Sequence, residues 1–320
     1  MVGSLAYTGL DISWLESLVE PINAAYDDWR ALERVSAYTP ADPPPVSAED
    51  LSRAVQRGDI APEACRVLWH ADRPVALVTL GFNGGGRVAR LGWLAVHPDY
   101  RGRGLGRELL AHAAEEARVR GFETLVTASH VDSRYEPALR LLESDGFEWV
   151  DRERCNLTLK MDLEAWEPIQ PRLPEGFSLR TWRDGDEAAW TEIKRAVFED
   201  NTPLGYWQNV FGNRHDFDPQ GWYFCLEGDK PVGISAAVLT RYSGSGKVMG
   251  CCIEWVGTLP EYRGLGLGRA LVTACVNYAY RFRPKPFVLV TQPFRKHAVR
   301  LYESLGFRTV REWRTYQKVL

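Results

Sequence analysis

The feature that most constrains the fold of this chain is an internal duplication. The segment YRGRGLGREL at 100–109 returns as YRGLGLGRAL at 262–271, an offset of 162 residues. WLAVHPDY at 93–100 returns as WVGTLPEY at 255–262, and ALRLLESDGF at 138–147 returns as AVRLYESLGF at 298–307. Because these three pairs of matching segments keep their order and their offset changes by only about two residues, they indicate two copies of one domain with small loop insertions.

The duplication divides the 320 residues into two domains of ordinary size. We predict an N-terminal domain at 1–163, a linker at 164–176 and a C-terminal domain at 177–320. The linker sequence, EAWEPIQPRLPEG, contains three prolines, which is typical of a segment between domains.

Periodicity predicts a mixed α/β fold, an α+β sheet with helices on both faces, in each of the tandem domains. The second copy is predicted to contain strands at 177–182, 221–225, 231–240, 248–258 and 287–291, and helices at 185–198, 265–280 and 296–305, with 307–320 ending the sheet. The first copy adds a helical front end at 12–38, a proline block at 43–45 and a helix opened by Ser47 with Asp50 three residues on.

The composition limits the kinds of partner that we expect this protein to bind. With 39 basic and 42 acidic residues the net charge is −3, which does not favour nucleic acid. No apolar run approaches the eighteen or so residues that span a bilayer, and the first residues lack a basic, then apolar, leader pattern. We therefore expect no membrane partner, a cytoplasmic protein, and a monomer or homodimer.

Cysteines and histidines give no sign of a metal. The six cysteines show no C-x-x-C spacing, so in a reducing compartment they are interpreted as small core residues. The histidines at 97, 112, 130 and 297 show no ligand spacing, and we predict no metal site.

A glycine-rich turn between a strand and a helix predicts an anion site in the second copy. Unpaired backbone N–H groups at a helix N-terminus favour phosphate oxygens, and glycines let the ligand approach closely. The residues are Arg263, Gly264, Gly266, Gly268 and Arg269. The spacing matches neither the dinucleotide loop G-x-G-x-x-G nor the P-loop, which needs Lys followed by Ser or Thr.

The first copy repeats this turn at the same place in its frame. Its residues are Arg101, Gly102, Gly104, Gly106 and Arg107. The N-terminal domain is therefore also predicted to bind a phosphate-bearing ligand.

The chain resembles the GNAT acetyltransferases in their tandem form. The resemblance rests on the two R-x-x-G-x-G turns, the strands before them and the segment AVRLYESLGF. The resemblance covers nearly the whole chain twice. It implies that each turn binds the pyrophosphate of acetyl-CoA, and that the 248–258 strand carries a bulge and splays from the 287–291 strand. By the same resemblance, pantetheine lies between these strands near Val256 and Thr258, the Val256 N–H faces the thioester oxygen, and Val96 is the first-copy counterpart of Thr258.

The two copies differ where acyl transfer needs an acid and a base. Tyr302 stands where the family usually has a tyrosine beside the CoA sulfur, whereas the first copy has Leu142. Glu254 lies among apolar residues, where a desolvated carboxylate has a raised pKa and can act as a base. The corresponding first-copy residue is Gly92, so we predict that only the C-terminal copy is catalytic.

Structural interpretations of the same residues stay open. The position of Tyr302 is also typical of a core aromatic residue on an amphipathic helix, and that of Glu254 is also typical of a structural carboxylate. The carboxylate best known from the family lies two residues earlier on this strand, where Cys252 stands here. Cys252 and Glu254 share a strand face, so the role can move between them.

Other residues near the second copy's first hairpin are candidates for the amine site. They are His215, Asp216 and Asp218, whereas the aromatic residues Tyr206, Trp207 and Phe211 are interpreted as core. A run of basic residues without an acid suits either a solvated face or the 3′-phosphate of CoA. It contains Arg281, Arg283, Lys285, Arg295, Lys296 and Arg300.

The predicted function is transfer of an acetyl group from acetyl-CoA to the primary amine of a small molecule, by direct attack in the C-terminal domain. The N-terminal domain would be a degenerate partner that keeps its glycine turn. Two alternatives remain open: an acetyltransferase of a cysteinyl amine, as in the mycothiol synthases, which are also tandem members of the family, and a non-catalytic CoA-binding module. The acceptor pocket is predicted to involve 38–59 and 201–220, the segments least alike between the copies.

Overall fold

The computed structural model describes residues 5–200, 202–203, 217–242 and 244–320. The first half of the chain contains β1 (Leu5–Thr8), α1 (Leu15–Ala25), α2 (Asp27–Arg30), α3 (Ala48–Gln56), β2 (Arg66–His70), β3 (Arg73–Gly81), β4 (Val88–Val96), α4 (Leu105–Val119), β5 (Thr124–Thr127), β6 (Val131–Asp132), α5 (Glu136–Ser144), β7 (Glu148–Trp149) and β8 (Asn156–Lys160). The second half contains β9 (Phe177–Thr181), α6 (Glu187–Phe198), β10 (Trp222–Glu227), β11 (Lys230–Arg241), β12 (Val248–Thr258), α7 (Leu267–Tyr280), β13 (Phe287–Thr291), α8 (Lys296–Ser304), β14 (Arg308–Arg314) and β15 (Tyr316–Val319).

The chain forms two compact units that interleave along the sequence. Unit 1 comprises Met1–Arg34, Ala41–Asn156 and Arg311–Leu320, and unit 2 comprises Val35–Pro40 and Leu157–Val310. Each unit thus includes a short segment from the other half of the chain. The domain limits given above, 1–163 and 177–320, stay a prediction about the repeated sequence.

Unit 1 is a mixed sheet with helices on both faces. Its strand order is β1-β2-β3-β4-β5-β15-β7. Neighbouring strands are antiparallel except for β4 and β5, which are parallel. α4 and α5 pack one face through Leu109 and Leu142, and α1 and α3 pack the other through Ile22 and Leu51. This arrangement confirms the predicted fold class for the first copy.

The front end of unit 1 differs in part from the prediction. The helix opened by Ser47 is confirmed, because the Ser47 hydroxyl and the Asp50 carboxylate cap each other's backbone N–H groups. The helical stretch expected at 12–38 stops at Arg30, the end of α2. No helix or strand follows between 31 and 47, where four prolines remove backbone donors.

Unit 2 repeats the layered plan. Six of its strands run in the order β8-β13-β12-β11-β10-β9, and β12 and β13 form the parallel pair. Phe224 and Cys225, neighbours on β10, point to opposite faces: Phe224 packs with Trp190 of α6, and Cys225 packs with Leu271 of α7. The predicted sheet with a helix on each face is confirmed here too.

The prediction that 307–320 closes the sheet of the second copy is confirmed for β14, which lies beside β8 in that sheet, but not for the last strand. β15 instead pairs with β5 and β7 in the sheet of unit 1. The reason lies in Tyr316, which is fully buried in the unit 1 core and donates its hydroxyl to Glu143 at 2.7 Å. A buried aromatic ring with a satisfied polar end fixes that strand in place.

All six cysteines are buried and free of disulfides, as the core interpretation predicted. Within the described ranges we find no helix with the length and apolar character needed to cross a membrane. The same residues contain no group of three or more His, Cys, Asp or Glu side chains placed to hold a metal ion.

Candidate active site

The glycine turn of unit 2 lies between β12 and α7. Gly264 and Gly266 have φ of 83° and 81°, which other residues rarely adopt, and a Cβ at either position would point into open space. Gly266 is the N-cap of α7, and no side chain caps the helix. Backbone donors of the first turn are therefore available to an anion at the positive end of the helix dipole.

Three neighbouring residues complete this turn. A Cβ at Gly268, in the first turn of α7, would lie 3.6 Å from the Leu301 side chain of α8. α7 and α8 therefore pack closely at this position. Arg269 donates to the Ser304 hydroxyl at 2.6 Å. The Arg263 backbone N–H donates to the Pro260 carbonyl, whereas its guanidinium bonds to no residue that the structure describes and is available for a phosphate.

The predicted bulge and splay of β12 are confirmed. β12 pairs with β13 only at Cys251, Cys252 and Ile253, and from there to Thr258 it is paired only on its other side, with β11. Against β11, the register jumps so that Trp255 and Val256 together oppose a single residue, and Trp255 has a φ of 50°. A parallel pair that separates at its carboxyl end forms a cleft beside Val256 and Thr258, next to the glycine turn.

Glu254 lies immediately before this bulge. One carboxylate oxygen, Oε1, accepts a short hydrogen bond from the Tyr38 hydroxyl, and the Cys252 thiol is a second partner. Burial raises the pKa of Glu254, and these two hydrogen bonds only partly oppose the rise. The raised pKa expected from the apolar neighbours in the sequence is thus confirmed.

Tyr302 lies on the inner face of α8. Its side chain is 5% exposed, and its ring contacts Phe307 at a centroid distance of 6.3 Å. Burial raises the pKa of Tyr302, and the charge of Arg295 lowers it slightly. The hydroxyl makes no hydrogen bond to any described residue, so its proton is not committed to the protein.

Unit 1 contains the counterpart of this site as a cavity of about 480 Å³. Its lining includes Val96 and the whole glycine turn, Arg101, Gly102, Gly104, Gly106 and Arg107. Gly104, with a φ of 82°, is the uncapped N-cap of α4, as Gly266 is of α7. The repeated sequence therefore builds the same uncapped glycine turn twice.

The unit 1 cavity lacks both candidate catalytic groups. Leu142 and Gly92 line it where unit 2 has Tyr302 and Glu254. A Cβ at position 92 would collide with the Thr79 hydroxyl oxygen, so the Thr79 side chain fills the space that a larger residue would need. Arg101 also differs from Arg263, because it donates to the Ala25 carbonyl at 2.7 Å and pairs with Asp28.

The remaining sequence candidates contribute less. Tyr206, Trp207, Phe211, His215 and Asp216 lie outside the described residues. Asp218 accepts a hydrogen bond from the Tyr278 hydroxyl at 2.6 Å and caps a turn at Gln220. Its carboxylate is therefore committed to local structure.

The basic run divides into two groups. Arg281 lies over the Tyr278 ring, Arg283 lies 3.9 Å from the centroid of Tyr280, and Lys285 pairs with Glu164 at 2.6 Å. Arg295 contacts Phe198 and Phe294, while Lys296 and Arg300 lie on α8. Protein contacts thus account for the first three residues, and the group on α8 remains a candidate for the 3′-phosphate.

The sequence interpretation missed Tyr38 as an individual site residue. It lies in the short segment 35–40, which belongs to unit 2 although its chain neighbours on both sides belong to unit 1. Only its place in the predicted acceptor segment 38–59 pointed to it, since no repeat or motif includes it.

Comparison with known proteins decides the family. The sequence profile described as "Acetyltransferase (GNAT) family" matches residues 26–147 and again 161–307. The chain is a member of this family, with two tandem copies. It is therefore an N-acetyltransferase of GNAT type, and acetyltransferases of this family use acetyl-CoA as the acetyl donor.

Curated relatives are similar over two thirds of the chain. A mycothiol acetyltransferase of Thermobispora bispora is 34% identical over 222 residues, which cover 68% of this chain and 72% of that protein. A mycothiol acetyltransferase of Acidothermus cellulolyticus is 32% identical over 230 residues, 67% of each protein.

Solved structures agree on the fold. A tandem GNAT protein from the clavulanic acid biosynthesis pathway has a TM-score of 0.59 at 20% identity and covers 99% of this chain and 98% of its own. A GCN5-related N-acetyltransferase from Sphaerobacter thermophilus has a TM-score of 0.56 at 21% identity and covers 98% and 95%.

Proposed function

We propose that unit 2 transfers the acetyl group of acetyl-CoA to the primary amine of a small molecule, with Glu254 as the base and Tyr302 as the acid. The observation that carries the proposal is the half-buried Glu254 carboxylate at the β12 bulge, beside the opening between β12 and β13. A carboxylate with a raised pKa at such a place suits proton abstraction better than structural support.

The residues of unit 2 fit an acyl-CoA at each part of the molecule. The uncapped N-terminus of α7, with open space beside Gly264 and Gly266, suits the pyrophosphate. The free edge of β12 at Val256 and Thr258 suits the pantetheine amides. Arg263 and Arg269 add positive charge at the turn.

Each group has a defined part in the reaction. Acetyl-CoA supplies an activated thioester carbonyl. Glu254 accepts the proton of the attacking amine, and the Val256 N–H donates to the oxygen on which negative charge develops. The Tyr302 hydroxyl donates its proton to the departing thiolate, and burial keeps that hydroxyl protonated until the thiolate forms.

Unit 1 is proposed to bind acyl-CoA without turning it over. Its glycine turn and its 480 Å³ cavity support binding. Leu142 and Gly92 supply neither an acid nor a base.

The acceptor is proposed to be a cysteinyl amine. The two curated relatives described above are named mycothiol acetyltransferases, and both match this chain over two thirds of its length. A comparison of kcat/KM for a cysteinyl glycoside, an aminoglycoside and free amino acids, with free CoA measured by chromatography, tests this. We expect the cysteinyl amine to exceed the others by at least about 10²-fold, since a site built to bind a polar group rejects analogues that lack it. Equal values for all three classes would overturn the acceptor and leave the acetyl transfer intact.

Two substitutions test the catalytic groups. We expect Glu254→Gln and Tyr302→Phe each to lower kcat by about 10²-fold or more, with little change in acetyl-CoA affinity, because each removes a proton-transfer group and keeps the shape. Tyr316→Phe, which removes a hydroxyl bonded to a carboxylate in unit 1, is the matched control and should keep its kcat. Unchanged turnover in either unit 2 variant would remove that residue from the mechanism.

A further inference from the structure

Tyr38 reaches Glu254 from a segment that is firmly held on the sheet of unit 2. Ala37 is 1% exposed and packs with Cys252 and Val288. The Thr240 hydroxyl donates to the Ala37 carbonyl, and Gly250 lets this segment lie so close that a Cβ there would be 2.8 Å from the Ala37 Cα. The position of the neighbouring Tyr38 is therefore set by three strands of the sheet rather than by a loose loop.

The side chain of Tyr38 lies between the half-buried Glu254 carboxylate and the surface. Its hydroxyl donates to Glu254 Oε1, while the residue as a whole remains 42% exposed. Burial of the hydroxyl end raises the pKa of Tyr38 well above its ordinary value, and Cys252 and Glu254 raise it further. The phenol therefore keeps its proton and acts only as a donor toward Glu254 at neutral pH.

We propose that Tyr38 is a positioning residue for the base, which orients the Glu254 carboxylate and keeps it ionised. This inference rests on the proposed function of Glu254. Partial burial disfavours the charged form of a carboxylate, and a hydrogen bond to the charged form favours that form.

Among the described groups around Glu254, the hydrogen-bond donors to its carboxylate are the Tyr38 hydroxyl and, more weakly, the Cys252 thiol. On β12 itself the titratable neighbours are Cys251 and Cys252, and the Cys252 S–H is a weak donor. β11 places the uncharged Ala236 opposite Glu254, and the pairing of β12 with β13 ends one residue earlier, at Ile253 and the uncharged Leu289.

The three helices nearest this part of β12 add no stronger donor among the described residues. α6 contacts the bulge through the Trp190 ring, which lies 5.9 Å from that of Trp255. α7 brings Cys275, which interacts with Cys251, and α8 brings Tyr302, which interacts with Cys252. The phenol is thus the strongest donor that faces the carboxylate in the described part of the chain.

The test is the pH dependence of kcat/KM with acetyl-CoA and a cysteinyl amine. In Tyr38→Phe the loss of the donor raises the pKa of Glu254. We therefore expect the acidic limb of the pH profile, where kcat/KM rises as Glu254 ionises, to move to higher pH by about one unit. At high pH, where the base is ionised in both proteins, the two rates should converge. Tyr316→Phe, which makes the same chemical change in unit 1, should leave the limb unmoved.

A second variant keeps the test independent of folding. Incorporation of 3-fluorotyrosine at position 38 keeps the ring and makes the hydroxyl a stronger donor, so the acidic limb should move to lower pH. In the Glu254→Gln background, Tyr38→Phe should cause no further loss of kcat, since Tyr38 acts through Glu254. A uniform rate loss at every pH, or an unmoved limb in both Tyr38 variants, would overturn the inference.

Failure of this inference is distinguishable from failure of the proposed function. If Glu254→Gln keeps full turnover, the base assignment fails and the positioning role fails with it. If Glu254→Gln loses turnover while both Tyr38 variants keep the wild-type limb, only the role of Tyr38 is overturned.

Discussion

At the residue scale, close approaches of the backbone determine which side chains each copy can carry. Gly257, just after the bulge, lies so close to Val197 of α6 that a Cβ would collide with that side chain. We expect Gly257→Ala to lower the free energy of unfolding by about 1–3 kcal/mol, because overpacking pushes α6 away from β12. Denaturant unfolding measures this, and adding Val197→Ala should recover most of the loss. Equal stability of Gly257→Ala and wild type would show that α6 moves without cost.

Sequence reasoning at this scale can compare individual residues wherever a pattern repeats. The difference between Glu254 and Gly92, and between Tyr302 and Leu142, was visible because the two copies could be aligned. Tyr38 was not predictable in the same way, since its contact with Glu254 joins residues 216 positions apart in segments with no common pattern.

At the scale of single elements, the start of α6 depends on one carboxylate. Asp186 accepts hydrogen bonds from both Nη atoms of Arg180 at 2.6 and 2.8 Å, and from the backbone N–H of Arg183 at 2.7 Å. Burial alone would raise the pKa of Asp186, but these bonds outweigh it and lower the pKa. The ionised carboxylate therefore ties the first turn of α6 to β9.

This carboxylate gives a pH-dependent contribution to stability. A lowered folded-state pKa stabilises the fold above the unfolded pKa of about 3.9, and the contribution disappears as pH falls through the folded value. We expect Asp186→Asn to lose about 1–3 kcal/mol at pH 7, and the gap to wild type to narrow below about pH 4. Thermal unfolding across this pH range checks the sign, with the exposed neighbour Asp184→Asn as control. A gap that is constant with pH would argue against the ionic origin.

Most elements were predictable because their signals are local. The capping pair Ser47 and Asp50, the strand at 248–258 and the helix at 296–305 follow from spacing of a few residues. The front end was overextended to residue 38 because apolar periodicity continues past Arg30, while the prolines that follow prevent a helix.

At the scale of the whole molecule, the interleaving of the units predicts that the two halves of the chain depend on each other. Residues 35–40 and β8 precede the linker but belong to unit 2, and β15 follows the linker but belongs to unit 1. We expect that a protease site inserted at 167–170 can be cut without separating the fragments, which should co-elute in size-exclusion chromatography. Each fragment, purified in urea and returned to buffer alone, should lack a cooperative unfolding transition. Two fragments that separate in native buffer would contradict this expectation.

The duplication was evident in the sequence, but the exchange of strands was not. β8 and β15 stand at equivalent ends of the two copies, at an offset of about 160 residues, and both have the character of a closing strand. Their sequences predict pairing and do not specify which sheet they join. That choice depends on long-range packing, such as the burial of Tyr316 beside Glu143.

The place of β15 between β5 and β7 has a consequence for the synthesis of the protein. The ribosome completes residues 124–149 well before it reaches 316–319, so the sheet of unit 1 stays open at β5 while more than 150 further residues emerge. During that interval an unpaired strand edge is exposed to other nascent chains. The protein should therefore need chaperones most late in translation, when the first half has been synthesised but β15, the last strand of its sheet, has not.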